Sequence, residues 1–206
     1  MNRNLTEIIF ILDRSGSMGG LENDTIGGFN GFVKKQMEAG KTSLTTVLFD
    51  DRYEILHNGV DVGNVTLTDR EYFTRGSTAL LDAVGKTIND VGKRLNETAE
   101  EARPGKVIFV ITTDGLENAS REFSYDEVKR MITHQTEKYG WEFVFMAANI
   151  DVAKEGDKLG ISADRSFAFK STTRGICAMF SDVDALCDSI REIKPKKKKK
   201  TITSKS

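Results

Sequence analysis

Four apolar runs of five residues each punctuate this chain: Ile8 to Leu12, Thr45 to Phe49, Val107 to Ile111 and Phe143 to Ala147. They are too short for helices and rich in β-branched and aromatic side chains. Each reads as a strand buried on both faces. A weaker fifth run covers Ser166 to Phe169. Tyr53 to His57 follows the second run after only Asp50-Asp51-Arg52. Three residues cannot hold a crossover, so this pair is expected to form an antiparallel hairpin at the sheet edge.

Between the strands the apolar period becomes helical. Ile26, Phe29, Val33 and Met37 form one stripe. Leu81, Val84, Ile88, Val91 and Leu95 form a cleaner one. Tyr125, Val128, Ile132 and Tyr139 make a weaker third, and Ile176, Met179, Phe180, Val183, Leu186 and Ile190 mark a C-terminal helix. Val152 to Leu159 suits one short helix more. Strands alternating with helices imply an α/β fold. The expectation is a doubly wound, mostly parallel six-stranded sheet with one antiparallel edge strand and helices on both faces.

Chemistry concentrates where the apolar runs stop. Asp13-Arg14-Ser15-Gly16-Ser17 follows the first run directly, giving one carboxylate and two hydroxyls within five residues. Thr112-Thr113-Asp114-Gly115 ends the third run in the same way. Gly76-Ser77-Thr78 precedes the second helical stripe. In an open α/β sheet, ligands bind beyond the carboxyl ends of strands, where connections diverge. Carboxylate and hydroxyl oxygens are hard donors, suited to a small divalent cation. Taken alone, Asp13-x-Ser-x-Ser also fits a polar turn with helix-capping residues.

Together the three segments resemble the metal-ion-dependent adhesion site of von Willebrand factor type A domains, over about residues 5–193. The family pattern is Asp-x-Ser-x-Ser, then a distant Thr, then a distant Asp. Asp13, Ser15, Ser17, Thr78 and Asp114 meet it in full. Ala147-Ala148-Asn149-Ile150-Asp151 resembles stand-alone bacterial members. The resemblance implies a Rossmann-like fold and a Mg²⁺ ion held by those five residues, directly or through water. It also implies a protein partner that supplies a Glu or Asp carboxylate to the open coordination position. Two acidic ligands among neutral hydroxyls leave such an ion electrophilic. Mn²⁺ or Ca²⁺ would accept the same donors. The expected function is a non-enzymatic, cation-dependent protein-binding module, an intracellular adaptor. One alternative is a Mg²⁺-dependent phosphoryl hydrolase, against which stands Ser15, where such enzymes need a second carboxylate. Another is an accessory component of an ATPase-linked stress or defence system. Glu22, Asp50, Asp51 and Glu117 are expected as ordinary solvated acids, or as the rim of the site.

Other motifs fail on their spacing. Gly85-Lys86-Thr87 and Gly40-Lys41-Thr42 echo the end of a phosphate-binding loop, but Leu80 and Lys35 stand where its first glycine belongs. No Gly-x-Ser-x-Gly elbow surrounds Ser15 or Ser17. The two histidines, His57 and His134, fall in an edge strand and a helix.

Charge and composition narrow the setting. Of 206 residues, 194–206 hold seven lysines and no acid, and are expected to be a disordered tail after a single domain at 1–193. The body then carries 23 basic and 31 acidic residues, a net of −8. That argues against a specific nucleic-acid face. No apolar run approaches the ~18 residues of a membrane span. The polar start Met1 to Thr6 lacks a secretory h-region, so a cytoplasmic protein is expected. Cys177 and Cys187 lie on one predicted helix about 15 Å apart, too far to bridge.

Overall fold

The structure is a computed structural model that describes residues 1–192. The lysine-rich tail expected at 194–206 lies outside the described residues. Six strands form one sheet: β1 Asn2–Asp13, β2 Thr42–Phe49, β3 Tyr53–Asp61, β4 Pro104–Thr113, β5 Glu142–Ala147 and β6 Ser166–Ala168. Their order is β3-β2-β1-β4-β5-β6. β2 and β3 pair antiparallel, as the short link requires, and every other neighbouring pair is parallel.

Five α-helices cover the sheet: α1 Glu22–Ala39, α2 Leu80–Glu97, α3 Tyr125–Tyr139, α4 Val152–Leu159 and α5 Thr173–Glu192. The alternation of β1 divides the core. Ile8, Phe10 and Leu12 pack with α1 and α5, while Ile9 and Ile11 pack with α2 and α3. Phe10 sits edge-on to Phe29 and Phe32 of α1, with centroids 5.6 and 5.5 Å apart. All these side chains are essentially inaccessible, so the apolar runs are two-sided core strands.

Two helices depart from their expected stripes. In α1, Met37 is exposed, and Phe32 and Gln36 are buried instead. The buried face is turned because Gln36 meets α5, where its Nε2 donates to Asp184 at 2.7 Å and its Oε1 accepts from Arg191. In α3, Tyr139 is exposed at the last turn. There the helix ends on Gly140 in the left-handed region.

This winding creates the functional edge. β1 leads into α1 on one face, and β4 leads towards α3 on the other. The carboxyl ends of β1 and β4 are adjacent, with Leu12 in register with Thr112. Between them lies the point where the connections part, the natural ligand position of an open sheet.

Candidate metal centre

Three loops meet at this edge, and each is tied to the other two. The β1–α1 loop joins the loop before α2 where the Gly16 amide donates to the Gly76 carbonyl at 3.2 Å and the Arg75 amide to the Arg14 carbonyl at 2.9 Å. It joins the loop after β4 where the Thr113 hydroxyl donates to Asp13 Oδ2 at 2.7 Å and the Ser17 hydroxyl donates to Asp114. The last two loops meet at Thr78. Its amide donates to Asn118 Oδ1 at 2.9 Å, and its carbonyl accepts from the amides of Asn118 and Ala119. Asp13, Ser15, Ser17, Thr78 and Asp114 are thereby gathered into one hydrogen-bonded cluster of loops. Gly76 makes the turn possible: its φ is +65°, and a Cβ would lie 2.2 Å from Asp51 Oδ1.

Asp13 and Asp114 are 1% and 2% exposed. Burial pushes the Asp13 carboxyl up to about 6, against hydrogen bonds from the Ser15 and Thr113 hydroxyls and the Ser15 amide; the nearby Asp114 charge adds to the rise. Burial also raises Asp114, opposed by the Ser17 hydroxyl. Neither carboxylate forms an ion pair among the described residues. Two buried acids that share an environment without a Lys or Arg partner are an unbalanced arrangement. A divalent cation would balance it. Ser15 Oγ and Ser17 Oγ are 3.1 Å apart, close to the edge of about 3 Å that an octahedron with 2.0–2.1 Å metal–oxygen bonds requires. Among the described residues no three His, Cys, Asp or Glu side chains form a metal-holding group. The donors here are two carboxylates and three hydroxyls.

Arg14 is the largest fully buried side chain of the described residues. Although it lies between Asp13 and Ser15, its guanidinium reaches elsewhere. It donates to Asp50 Oδ2 at 2.9 Å, Glu54 Oε2 at 2.8 Å and the Glu71 carbonyl at 3.2 Å. Arg75 donates to the same Asp50 oxygen at 2.7 Å, and both guanidinium groups lie over the Phe73 ring. Asp50 is therefore not a solvated rim acid. Burial pushes its carboxyl up, and hydrogen bonds from Arg75 and the Arg52 amide, with the Arg14 charge, outweigh this and hold it below its ordinary value. The signal was available in the sequence: β1 and β2 are parallel neighbours that end together, which puts positions 14 and 50 side by side.

Glu117 is not a free acid either. Its carboxylate accepts from the Leu81 amide at 3.0 Å and from the Ala119 and Ser120 amides at 2.9 and 2.7 Å. It caps the start of α2 and shapes the loop that carries Asp114. Glu22 accepts from the Thr74 hydroxyl at 2.6 Å and the Gly20 amide at 2.7 Å. Asp51 is exposed, as expected. Sequence reasoning missed Tyr72, whose hydroxyl donates to the Asp13 carbonyl at 2.7 Å. It also passed over the chemistry of Asn149. This is the one non-glycine residue with positive φ among those described, and its Nδ2 donates to the Asp114 carbonyl at 3.3 Å and to Ser171 at 3.0 Å. Gly85-Lys86-Thr87 lies within α2, as expected, with Lys86 paired to Glu122.

The chain superposes on the von Willebrand factor domain of the type V pili tip protein Mfa5 from Porphyromonas gingivalis. The match covers 92% of this chain and 97% of that one, at a TM-score of 0.67 and 10% identity. The fold is that of a von Willebrand factor type A domain. Proximal thread matrix protein 1 from the mussel byssus shares this fold in a structure whose adhesion-site motif is occupied by zinc, at a TM-score of 0.61 and 18% identity. That match covers 91% of this chain and 47% of the mussel protein, so the chain spans about half of its length. The PilB minor pilin of Streptococcus sanguinis superposes over 92% of this chain and 62% of its own, at 0.62 and 13% identity. No family model matches the sequence, and no curated protein matches it. Among the described residues no helix is long and apolar enough to cross a membrane.

Proposed function

We propose that this type A domain is a non-enzymatic, divalent-cation-dependent protein-binding module that captures an acidic side chain of its partner. The observation that carries this reading is the pair of buried carboxylates, Asp13 and Asp114, set without a Lys or Arg partner among hydroxyl groups at the switch point of the sheet. Asp13, Ser15, Ser17, Thr78 and Asp114 would hold the ion. Mg²⁺ is the proposed occupant, from the all-oxygen donor set; the zinc in the mussel protein's motif supports a divalent cation of some kind. When bound, such an ion supplies a Lewis-acidic position for a carboxylate oxygen.

The residues of the chain do the rest. Thr113 and the Ser15 amide orient Asp13, and Ser17 orients Asp114. Asn118 fixes the backbone of Thr78 from both sides. Binding of the ion would require both carboxyls deprotonated, which the ion's own charge favours against burial. The proposed setting is the cytoplasm, in an adaptor role. Free Cys177 and Cys187 accord with a reducing compartment.

The test is capture of partners from host lysate by the purified chain in Mg²⁺ and in EDTA, with Thr78→Ala alongside. The expected result is a protein retained only in Mg²⁺ and lost with the variant. Equal capture by all three samples would sink metal-mediated recognition.

A further inference from the structure

A polar cleft of about 560 Å³ opens beside the candidate metal centre, between the β2–β3 turn, the start of α2 and the loop after β4. The two are continuous. Ser77 lines the cleft one residue from Thr78, and Asn118, which accepts from the Thr78 amide, stands in its wall.

Three acidic and three basic side chains line the cleft, balancing in number but not in pairing. Of its three carboxylates, Asp82 is taken up by the amides of Arg121, Glu122 and Phe123, each at 2.9 Å. Glu122 is paired with Lys86 at 2.7 Å. Asp51 is turned towards the Gly76 backbone. Arg52 and Arg121 line the same cleft and are exposed. Neither guanidinium has an ion-pair partner among the described residues. Two exposed guanidinium groups without an ion pair beside the candidate metal centre are each free to receive a carboxylate. A guanidinium is also the side chain best matched to a carboxylate.

We infer that this cleft is a second anionic subsite: Arg52 and Arg121 receive another acidic side chain of the same partner segment whose first acid reaches the metal. This rests on the reading of metal-dependent capture. The partner class becomes a segment with two spaced acids rather than one. A lone Asp or Glu is common on any protein surface, so the second contact supplies the discrimination.

The experiment begins with random displayed peptides selected on the full chain in Mg²⁺. Binders are then measured by fluorescence polarisation against wild type, Thr78→Ala and the double variant Arg52→Ser/Arg121→Ser. Both arginines are exposed, so the double variant should keep its thermal midpoint in EDTA. The expected binders carry two acids. The double variant weakens them about tenfold and flattens their salt dependence. Replacing the second acid by its amide costs wild type about tenfold and the double variant nothing further, the signature of a direct pair. Unchanged affinity in the double variant, or an equal amide effect in both proteins, overturns the second subsite and leaves metal capture standing. Binders indifferent to EDTA or to Thr78→Ala, or a selection without Mg²⁺-dependent peptides, overturn metal capture and the subsite together.

Discussion

Arg14 stands between two candidate ligands, yet it bonds to Asp50, Glu54 and the Glu71 carbonyl. It thus connects the β1–α1 loop to β2, β3 and the segment leading to Thr78. Replacing it by Met leaves the part-buried Glu71 carbonyl without this donor and Asp50 with Arg75 as its one remaining guanidinium partner. Removing one partner of a buried pair costs about 3–5 kcal/mol. Urea denaturation of Arg14→Met should show a loss of that order, and Mg²⁺ titration of the folded variant should show weakened affinity. Asp114→Asn should behave oppositely. It removes a buried negative charge beside Asp13, so the metal-free protein should melt at the wild-type temperature or above it. Its Mg²⁺-induced rise in melting temperature should vanish. A variant that melts lower without metal and still responds to Mg²⁺ would contradict the proposed role of Asp114. At this scale the candidate ligands were legible in the sequence, because three separated segments repeat carboxylate and hydroxyl groups beside predicted strand ends and a helix start. Their supports were less legible. Asp50 and Glu117 look like surface acids until the strands and loops that enclose them are placed.

The helices show the same division. α2 follows its apolar stripe faithfully, since Leu81, Val84, Ile88, Val91 and Leu95 all face one side of the sheet. α1 does not, because its contact with α5 is partly polar through Gln36, and hydrophobic periodicity cannot register a buried amide. The approach of these two helices depends on Gly28, where a Cβ would lie 2.2 Å from the Phe180 ring. Gly28→Ala should therefore destabilise the protein despite its better helix propensity, by about 1–3 kcal/mol as overpacking does. Thermal or chemical denaturation would read the sign, and a stabilised variant would refute the packing argument. At the start of α3, Ser124 and Glu127 form a reciprocal capping box. Ser124→Ala should cost about 1 kcal/mol. The antiparallel β2–β3 pair was legible from a three-residue link alone. The extension of β1 back to Asn2 was not, since that segment is polar and is held by β4 and the Arg103 carbonyl rather than by a core.

For the molecule as a whole, ion binding and folding stability should be linked, since the five candidate ligands come together only when β1, α2 and β4 are in place. Saturating Mg²⁺ at a hundred times its dissociation constant should add about 2.7 kcal/mol. Calorimetry in Mg²⁺ and in EDTA would measure it, and coincident melting curves would contradict a preformed cation site. The same topology has a consequence in time. The centre of the sheet, β1, is synthesised first, yet one of its two neighbours, β4, begins only at Pro104. During translation the buried run of β1 waits, half-paired at best, for roughly five to twenty seconds at ordinary elongation rates. Nascent chains stalled before β4 should be protease-sensitive and bound by chaperones, and protection should arrive only once β4 has cleared the ribosome. The chain should therefore complete its core and its candidate cation site only late in synthesis, after β4 has emerged.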